Sequence, residues 1–333
     1  EFDADTVVIG DKECYEDLDS ALSGTQIKVF AGNDSIAAAA SSSQVDVVVN
    51  ALVGYAGLHP TLAAIEAGKK VANKETLVVA GETVMERAMH RRVPIVPIDS
   101  EHSAILQCLA GECSPVRRLI VTCSGGALRE LPREALADVT PEQALHHPQW
   151  SMGAKITIDS ATLVNKGFEV IEARWLFGID PDRISVLLHP QSIVHSMVEF
   201  EDGAIKAQLG TPDMHLPISY ALTYPRRASR GGDRFSFIDH PALTFAEVDR
   251  EKYPALDIAY EVLRRGGTAA CTMNGANEEA VAAFLSHRCR YHDIVGSIRY
   301  ALEKATFVAR PDIDDYDRAN DEARALARSY LKL

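Results

Sequence analysis

Three carboxylates, a lysine and a set of hydroxyl groups give this sequence its chemical character. Asp99 and Glu101 stand two residues apart where an apolar run, Val93 to Ile98, ends. In open α/β sheets, ligands bind outside the carboxyl ends of strands. Paired carboxylates there are costly unless a positive group joins them. A hard cation with oxygen ligands is one answer. The plainer reading is that Ser100 caps a helix, Asp99 assists, and Glu101 favours the helix dipole. The third carboxylate, Glu169, lies in the stretch Met152 to Gly178, three and four residues from Lys166 and Asn165, so all three project together near a helix start. Ser160, Asn165 and Lys166 at a helix N-terminus suit a phosphate, and Glu169 one turn on suits a metal. The alternative for the same residues is an amphipathic helix with a surface Lys–Glu pair.

Further groups lie between and beyond these. Ser124-Gly125-Gly126 follows an apolar run from Arg118 to Cys123. Glycines there let backbone N–H groups approach an anion, or simply make a tight turn. His146 to Gly153 holds Trp150, one of two tryptophans, among prolines, histidines and a glycine. A large aromatic on such a loop is either a core anchor or a lid. His189 and His195 flank Pro190-Gln191-Ser192. One histidine alone is usually packed or exposed, but two around one turn favour a site.

The elements that must position these groups follow from periodicity. Strands are expected at Thr6–Ile9, Lys28–Phe30, Val45–Asn50 and Val93–Ile98, alternating with helices near 14–22, 33–41, 58–67 and 76–90. That pattern predicts a doubly wound parallel sheet. Ile156 and Ile158 alternate with threonine, which predicts a short strand. Asp159 and Ser160 then cap a helix on which Val164, Phe168, Ile171 and Trp175 recur, ending at Gly178. Ile184–Leu188, Ile193–Phe200 and Ala204–Leu209 read as strands, the last two joined as a hairpin through Glu201-Asp202-Gly203. Residues 224–253 read as an irregular connector. Helices near 254–265, 274–287, 292–306 and 312–332 make a bundle.

Composition narrows the function. With 333 residues the chain can bury a large core in two or three domains. A net charge of -13 argues against nucleic acid and against anionic membranes as partners. The sequence has no apolar run long enough to span a bilayer. Six cysteines without a Cys-x-x-Cys pair read as reduced thiols, which fits the cytoplasm.

Taken in order, Asp99-Ser100-Glu101-His102, Ser124-Gly125-Gly126, His147-Pro148-Gln149-Trp150-Ser151-Met152-Gly153, Asp159-Ser160-Ala161-Thr162 with Asn165-Lys166-Gly167, and His189-Pro190-Gln191-Ser192 with His195-Ser196 resemble the 1-deoxy-D-xylulose 5-phosphate reductoisomerase family. The resemblance covers nearly the whole chain. It implies a Rossmann-like doubly wound α/β sheet, then an α+β catalytic domain and a C-terminal helical bundle. The expected domains are 1–98 for NADPH, 99–223 for catalysis, a connector at 224–253 and the bundle at 254–333. It implies an oxidoreductase that rearranges and reduces 1-deoxy-D-xylulose 5-phosphate with NADPH and Mg2+ or Mn2+, acting as a cytoplasmic homodimer. By the same resemblance Asp99, Glu101 and Glu169 hold the metal. Ser124, Ser160, Asn165 and Lys166 clamp the phosphate, while Ser100, Lys74, His147, Ser192 and His195 contact the substrate, with Lys74, Glu101, His147 and His195 as the catalytic set. Trp150 covers the substrate. Ala51, Val53, Gly54, Asn73, Lys74, Glu75, Met152, Gly153 and Met214 face the cofactor.

Two departures from the family are visible. The family's Gly-x-Thr-Gly-x-x-Gly turn, with its helix and second strand, is not found, since Gly10 in Val7-Val8-Ile9-Gly10 lacks that spacing. The strand before Asn73-Lys74-Glu75 also reads short. Both are expected to be missing residues and not evolved losses. Two other readings compete: a different NAD(P) dehydrogenase of similar layout, for which the three carboxylates would be unnecessary, and a non-catalytic fragment that binds sugar phosphate and metal.

Overall fold

The structure, a computed structural model, describes residues 4–73, 75–229, 231–232 and 234–333, so Lys74 lies outside the described residues. The first part of the chain alternates strand and helix as its periodicity predicts. β1 (Thr6–Ile9), α1 (Tyr15–Ala21), β2 (Lys28–Ala31) and α2 (Asn33–Ala40) form a two-stranded parallel unit. β3 (Val47–Asn50), α3 (Leu58–Glu66), β4 (Lys70–Asn73), α4 (Thr76–Arg91) and β5 (Ile95–Pro97) form a parallel ladder in the order β3-β4-β5. The register pairs Asn50 with Asn73 and Asn73 with Pro97, so the three strands end at one level. That edge carries the polar groups: buried Asn50 donates to the Gly57 carbonyl (2.7 Å) and to Thr61 Oγ1 (2.6 Å). All four residues of β4 pair with β3.

The second sheet has five strands in the order β10-β7-β6-β8-β9. α5 (Ser100–Leu109) leads into β6 (Val116–Cys123), which lies at its centre, parallel to β7 (Ile184–Leu188) and antiparallel to β8 (Val194–Phe200). β9 (Ile205–Leu209) returns from β8 through a hairpin at Gly203, as its sequence predicts. Between β6 and β7 come α6 (Pro141–Ala144), α7 (Ala154–Thr162) and α8 (Val164–Phe177). Here one expectation fails. Residues 156–158 are helical, and neither Asp159 nor Ser160 is an N-cap: both lie inside α7, Asp159 buried and paired with Lys155 four residues earlier (2.8 Å). The Ile-Thr-Ile alternation misleads because Ile158, Ala161 and Thr162 form the buried stripe of a helix. The chain breaks between the two helices at Leu163, which is left-handed (φ 57).

α9 (His215–Thr223) follows β9, and the described residues between 224 and 253 run irregularly except for β10 (Ala246–Glu247), which pairs with β7. α10 (Pro254–Arg265), α11 (Ala269–Leu285), α12 (Tyr291–Lys304) and α13 (Ile313–Leu331) complete the chain. The core centres on α8, whose Val164, Phe168 and Ile171 are fully or nearly fully buried. Each such side chain stabilises the fold by about 1.5–3 kcal/mol. Gly167 lets α8 and α10 cross closely, since a Cβ there would stand 2.7 Å from that of Ala259. None of the helices in the described residues is long and apolar enough to cross a membrane.

Candidate active site

α8 sets the centre of a cavity of about 280 Å³. The cavity lies where the ends of β5 and β6, the α7–α8 junction and the β7–β8 turn converge. β5 ends at Pro97, and two residues on the chain enters α5 with Asp99 in the extended N-cap position. Ser100 is therefore the first helical residue and not the cap. Its Oγ donates to Glu101 Oε2 (2.5 Å). One turn into α8, Glu169 turns back toward this point. Carboxylate oxygens of Asp99, Glu101 and Glu169 lie within 4.8 Å of one another. Asp99 and Glu169 are buried, and Glu101 is nearly so.

Such a cluster is unstable without positive charge, and Lys166 supplies it. Its Nζ lies 2.8 Å from Glu101 Oε1 and 2.5 Å from Glu169 Oε2. Burial opposes the Lys166 charge, but Glu101 and Glu169 outweigh burial and raise its pKa. Burial likewise works against ionised Glu101, yet Lys166 holds it below the usual carboxylate range. Glu169 is pushed well above that range by burial and by the Glu101 charge beside it. Lys166 thus pairs with two of the three carboxylates, and the three together form a set of hard oxygen donors. That donor set fits a divalent Mg2+ or Mn2+ ion. Asn165 Nδ2 donates to Glu169 Oε1 (2.6 Å), and His102 Nε2 meets the Glu169 backbone carbonyl (2.8 Å), which fixes the carboxylate and its helix turn. His102 and Glu172, buried and close to Asp99, form a layer behind the three carboxylates. Glu172 follows Glu169 by three residues on one helix face, a signal present in the sequence.

The residues expected to take a phosphate come together in the same cavity, Asn165 and Lys166 directly beside the carboxylates. Ser124, Ser160, Asn165 and Lys166 all line the cavity. Gly126 (φ 68) makes this possible: a Cβ there would stand 2.6 Å from the Ser160 carbonyl oxygen, so only glycine lets the turn after β6 press against α7. Thr122, which the sequence did not single out, bonds through Oγ1 to the Val194 and His195 carbonyls (2.7 and 2.8 Å) and locks β8 in place. His195 and Ser192 thereby reach the cavity. His189 does not. Its Nε2 accepts from the Ile193 and Val194 N–H groups, and its Nδ1 therefore donates to the Thr244 carbonyl (2.8 Å), so it pins the turn.

His147 and Trp150 close the mouth. His147 Nδ1 accepts from the N–H groups of Gln149 (3.1 Å) and Trp150 (2.9 Å), which leaves the proton on Nε2, 3.0 Å from Ser124 Oγ. Trp150 is half-buried, its ring centroid 6.3 Å from that of His195. Burial and the Arg129 charge push the His147 pKa down to about 4. The folded state thus favours the neutral ring. Its stabilising bonds are fully present above the unfolded value and are lost as pH falls through the folded one. The acid limb of kcat/KM due to His147 should accordingly lie nearer 4 than 6.5. A pH–rate profile of wild type beside His147→Gln checks this, and an acid limb near 6.5 that vanishes in the variant would contradict it.

The residues expected on the cofactor side lie elsewhere along the same face. Met152 and Met214 line the cavity. Gly153 caps α7, and Ala51, Val53 and Gly54 follow the end of β3, where Val53 is half exposed. Asn73 and Glu75 sit at the end of β4, both buried, and among the described residues the Asn73 side-chain amide has no hydrogen-bond partner on either atom. A buried amide left open beside a half-exposed apolar surface fits a ligand that carries its own amide, as a nicotinamide does.

The chain matches three family descriptions in succession. Residues 1–81 match 1-deoxy-D-xylulose 5-phosphate reductoisomerase, 95–177 its C-terminal domain, and 209–326 the DXP reductoisomerase C-terminal domain. It is 51% identical over 333 residues to the 1-deoxy-D-xylulose 5-phosphate reductoisomerase of Bacteroides fragilis, covering 99% of this chain and 86% of the relative. It is 52% identical over 335 residues to that of Geobacillus kaustophilus, covering 99% and 87%. Among solved structures it resembles the Zymomonas mobilis reductoisomerase in complex with NADPH, with a TM-score of 0.89, 41% identity and coverage of 99% and 86%. It also resembles a DOX-P reductoisomerase in complex with NADPH, fosmidomycin and magnesium, with a TM-score of 0.93, 35% identity and coverage of 99% and 86%.

Proposed function

This chain belongs to the 1-deoxy-D-xylulose 5-phosphate reductoisomerase family, and on that premise we propose how its own residues carry the reaction. It is an NADPH- and divalent-metal-dependent oxidoreductase that converts 1-deoxy-D-xylulose 5-phosphate to 2-C-methyl-D-erythritol 4-phosphate for isoprenoid precursor synthesis. Family membership removes the reading as another dehydrogenase. The observation that carries the site assignment is the meeting of three carboxylates with a serine–asparagine–lysine wall in one cavity.

Asp99, Glu101 and Glu169 would hold the cation. When bound, the cation would supply Lewis-acid polarisation of the ketose, and the nicotinamide would supply the hydride for the reduction. Ser124, Ser160, Asn165 and Lys166 bind the phosphate, which fixes the reacting end by binding energy from a remote group. Neutral His147 offers its Nε2–H to a substrate oxygen. His195, whose ring burial also keeps neutral, and Ser100 and Ser192 line the sugar chain, as Lys74 does in our assignment. Trp150 shuts out water. Met152, Gly153 and Met214 on one side and Ala51, Val53, Gly54, Asn73, Lys74 and Glu75 on the other take the nicotinamide half of NADPH.

Residues 1–98 are assigned to the cofactor, 99–223 to catalysis, 224–253 to the connector and 254–333 to the bundle. A homodimer is our reading of the assembly, and exposed apolar Phe237 and Ile238, adjacent in the chain, are available to such a contact. Six free cysteines favour the reducing cytoplasm.

Lys166→Met tests the phosphate assignment. NADPH oxidation followed by absorbance at varied substrate and cofactor should show a rise in the sugar-phosphate KM of about tenfold or more, with the NADPH KM little changed. An equal rise in both, or a rise for NADPH alone, would count against Lys166 as a phosphate ligand.

A further inference from the structure

A chain of buried polar groups runs from the C-terminal bundle to the β4–α4 junction, and none of its inner members lines the cavity. Asn277 on α11 donates through Nδ2 to Asp159 Oδ1 (2.8 Å). Asp159 Oδ2 pairs with Lys155 Nζ (2.8 Å), and Lys155 Nζ also reaches Glu75 Oε2 (3.5 Å). The same Glu75 oxygen accepts from the Gly54 N–H (2.9 Å), while the Glu75 N–H donates to Glu172 Oε1 (2.9 Å). Lys155 also lies 5.3 Å from the Phe168 ring centroid, at the heart of the core. Asp159 and Glu75 are 1% and 5% exposed.

Charges buried like this cost several kcal/mol each to desolvate, and apolar side chains of similar volume serve stability equally well. The arrangement has another consequence. Glu75 is a non-glycine residue in the left-handed region (φ 61), a conformation that persists only where its surroundings over-determine it. Gly54, Glu172 and Lys155 do so together. Lys155 also stands two residues beyond Gly153, on the helix that rises from Met152 and Gly153, so its contact with Glu75 ties the two separate pieces of the cofactor surface to each other. It offsets the Glu75 charge as well, which would otherwise face an anionic dinucleotide.

We propose that Lys155 and Asp159, anchored on the C-terminal bundle by Asn277, are positioning residues that hold the Glu75 carboxylate for NADPH. The proposal rests on the assignment of Glu75 to the cofactor surface. It gives the bundle a part in the reaction beyond the structural one its sequence suggests.

The experiment compares Lys155→Met, Asp159→Asn, Glu75→Gln and the double variant Lys155→Met/Glu75→Gln in the holoenzyme. The readouts are NADPH affinity by fluorescence titration, NADPH and sugar-phosphate KM values, fosmidomycin affinity and melting temperature. Lys155→Met should weaken NADPH by about tenfold and leave fosmidomycin affinity within about twofold. The double variant should be no weaker than the worse single one, because both remove one interaction. If Lys155→Met does not fold, Asp159→Asn, which keeps shape and the Asn277 contact, should weaken NADPH by several-fold. NADPH affinity unchanged in the Lys155 and Asp159 variants but reduced in Glu75→Gln would overturn the positioning role and leave Glu75 on the cofactor. Unchanged affinity in all of them would overturn the Glu75 assignment and the proposal together. Parallel losses of NADPH and fosmidomycin affinity would mark the pair as structural only and also overturn it.

Discussion

Glu169→Gln should lower kcat/KM by about two to three orders of magnitude, the size expected for one key electrostatic group in a water-poor site. Glutamine keeps the volume of the side chain but not its acceptor pattern. Both Glu169 oxygens now accept, one from Asn165 and one from Lys166. The amide nitrogen of glutamine would set a donor against one of these donors. The substitution also removes one of three hard donors and the negative charge that binds a divalent ion. Two readouts separate these effects. Calorimetric titration with Mn2+ should show weakened binding, and kinetics at saturating Mn2+ should recover only part of the loss. The melting temperature should move little, since the change relieves repulsion from Glu101 as it removes the Lys166 bond. Near-native turnover, or Mn2+ affinity equal to wild type, would remove Glu169 from the metal set.

Much of this site could be read in the sequence because its groups sit at the ends of regular elements. A strand followed by Asp99-Ser100-Glu101, or a helix start with Asn165 and Lys166, has a fixed direction once the element is known, so the cavity-lining residues are largely those that local rules name. The same rules fail for Ile156–Ile158, where alternation over three residues is compatible with either period and the Lys155–Asp159 pair decides for helix. They fail again for His189 and His195. Both flank one turn, but which of them faces the cavity depends on the hydrogen bonds His189 makes to Ile193, Val194 and Thr244. The sequence holds no sign of those partners.

What it conceals most is long-range pairing. Asn277 and Asp159 are 118 positions apart, and Glu75 and Glu172 are 97 apart. Each pair joins elements whose contact follows from the packing of α11 on α7 and of α4 on α8. Read alone, α11 is a helix with no reactive constellation, and Asp159 is a plausible cap. Only the assembled core turns them into one network, because buried charges must find partners wherever the fold brings them.

Trp150→Ala is expected to leave the fold nearly intact while impairing catalysis by about tenfold or more. The loop from His146 to Gly153 holds Trp150 by its backbone, through the bond from its N–H to His147 Nδ1, and the indole leans toward His195 across the cavity mouth. The ring is half-buried in the free protein, more covered than a fully open lid, so some stability will be lost. A core tryptophan would cost roughly 3–5 kcal/mol on truncation. A residue exposed on one side should cost well under that, a melting shift of only a few degrees in a chain of this size, at roughly 2–4 °C per kcal/mol. Fosmidomycin should change Trp150 emission as the loop closes over it. Trp175 should respond little, because its ring packs against Gly81 on α4, where even an added Cβ would come within 2.1 Å. Emission spectra of Trp150→Ala with and without ligand isolate that second tryptophan. Melting and steady-state kinetics belong side by side in this test. A fall of about ten degrees with unchanged kinetics of the folded fraction would make Trp150 a packing residue, and the cavity would then need another group to exclude water during hydride transfer.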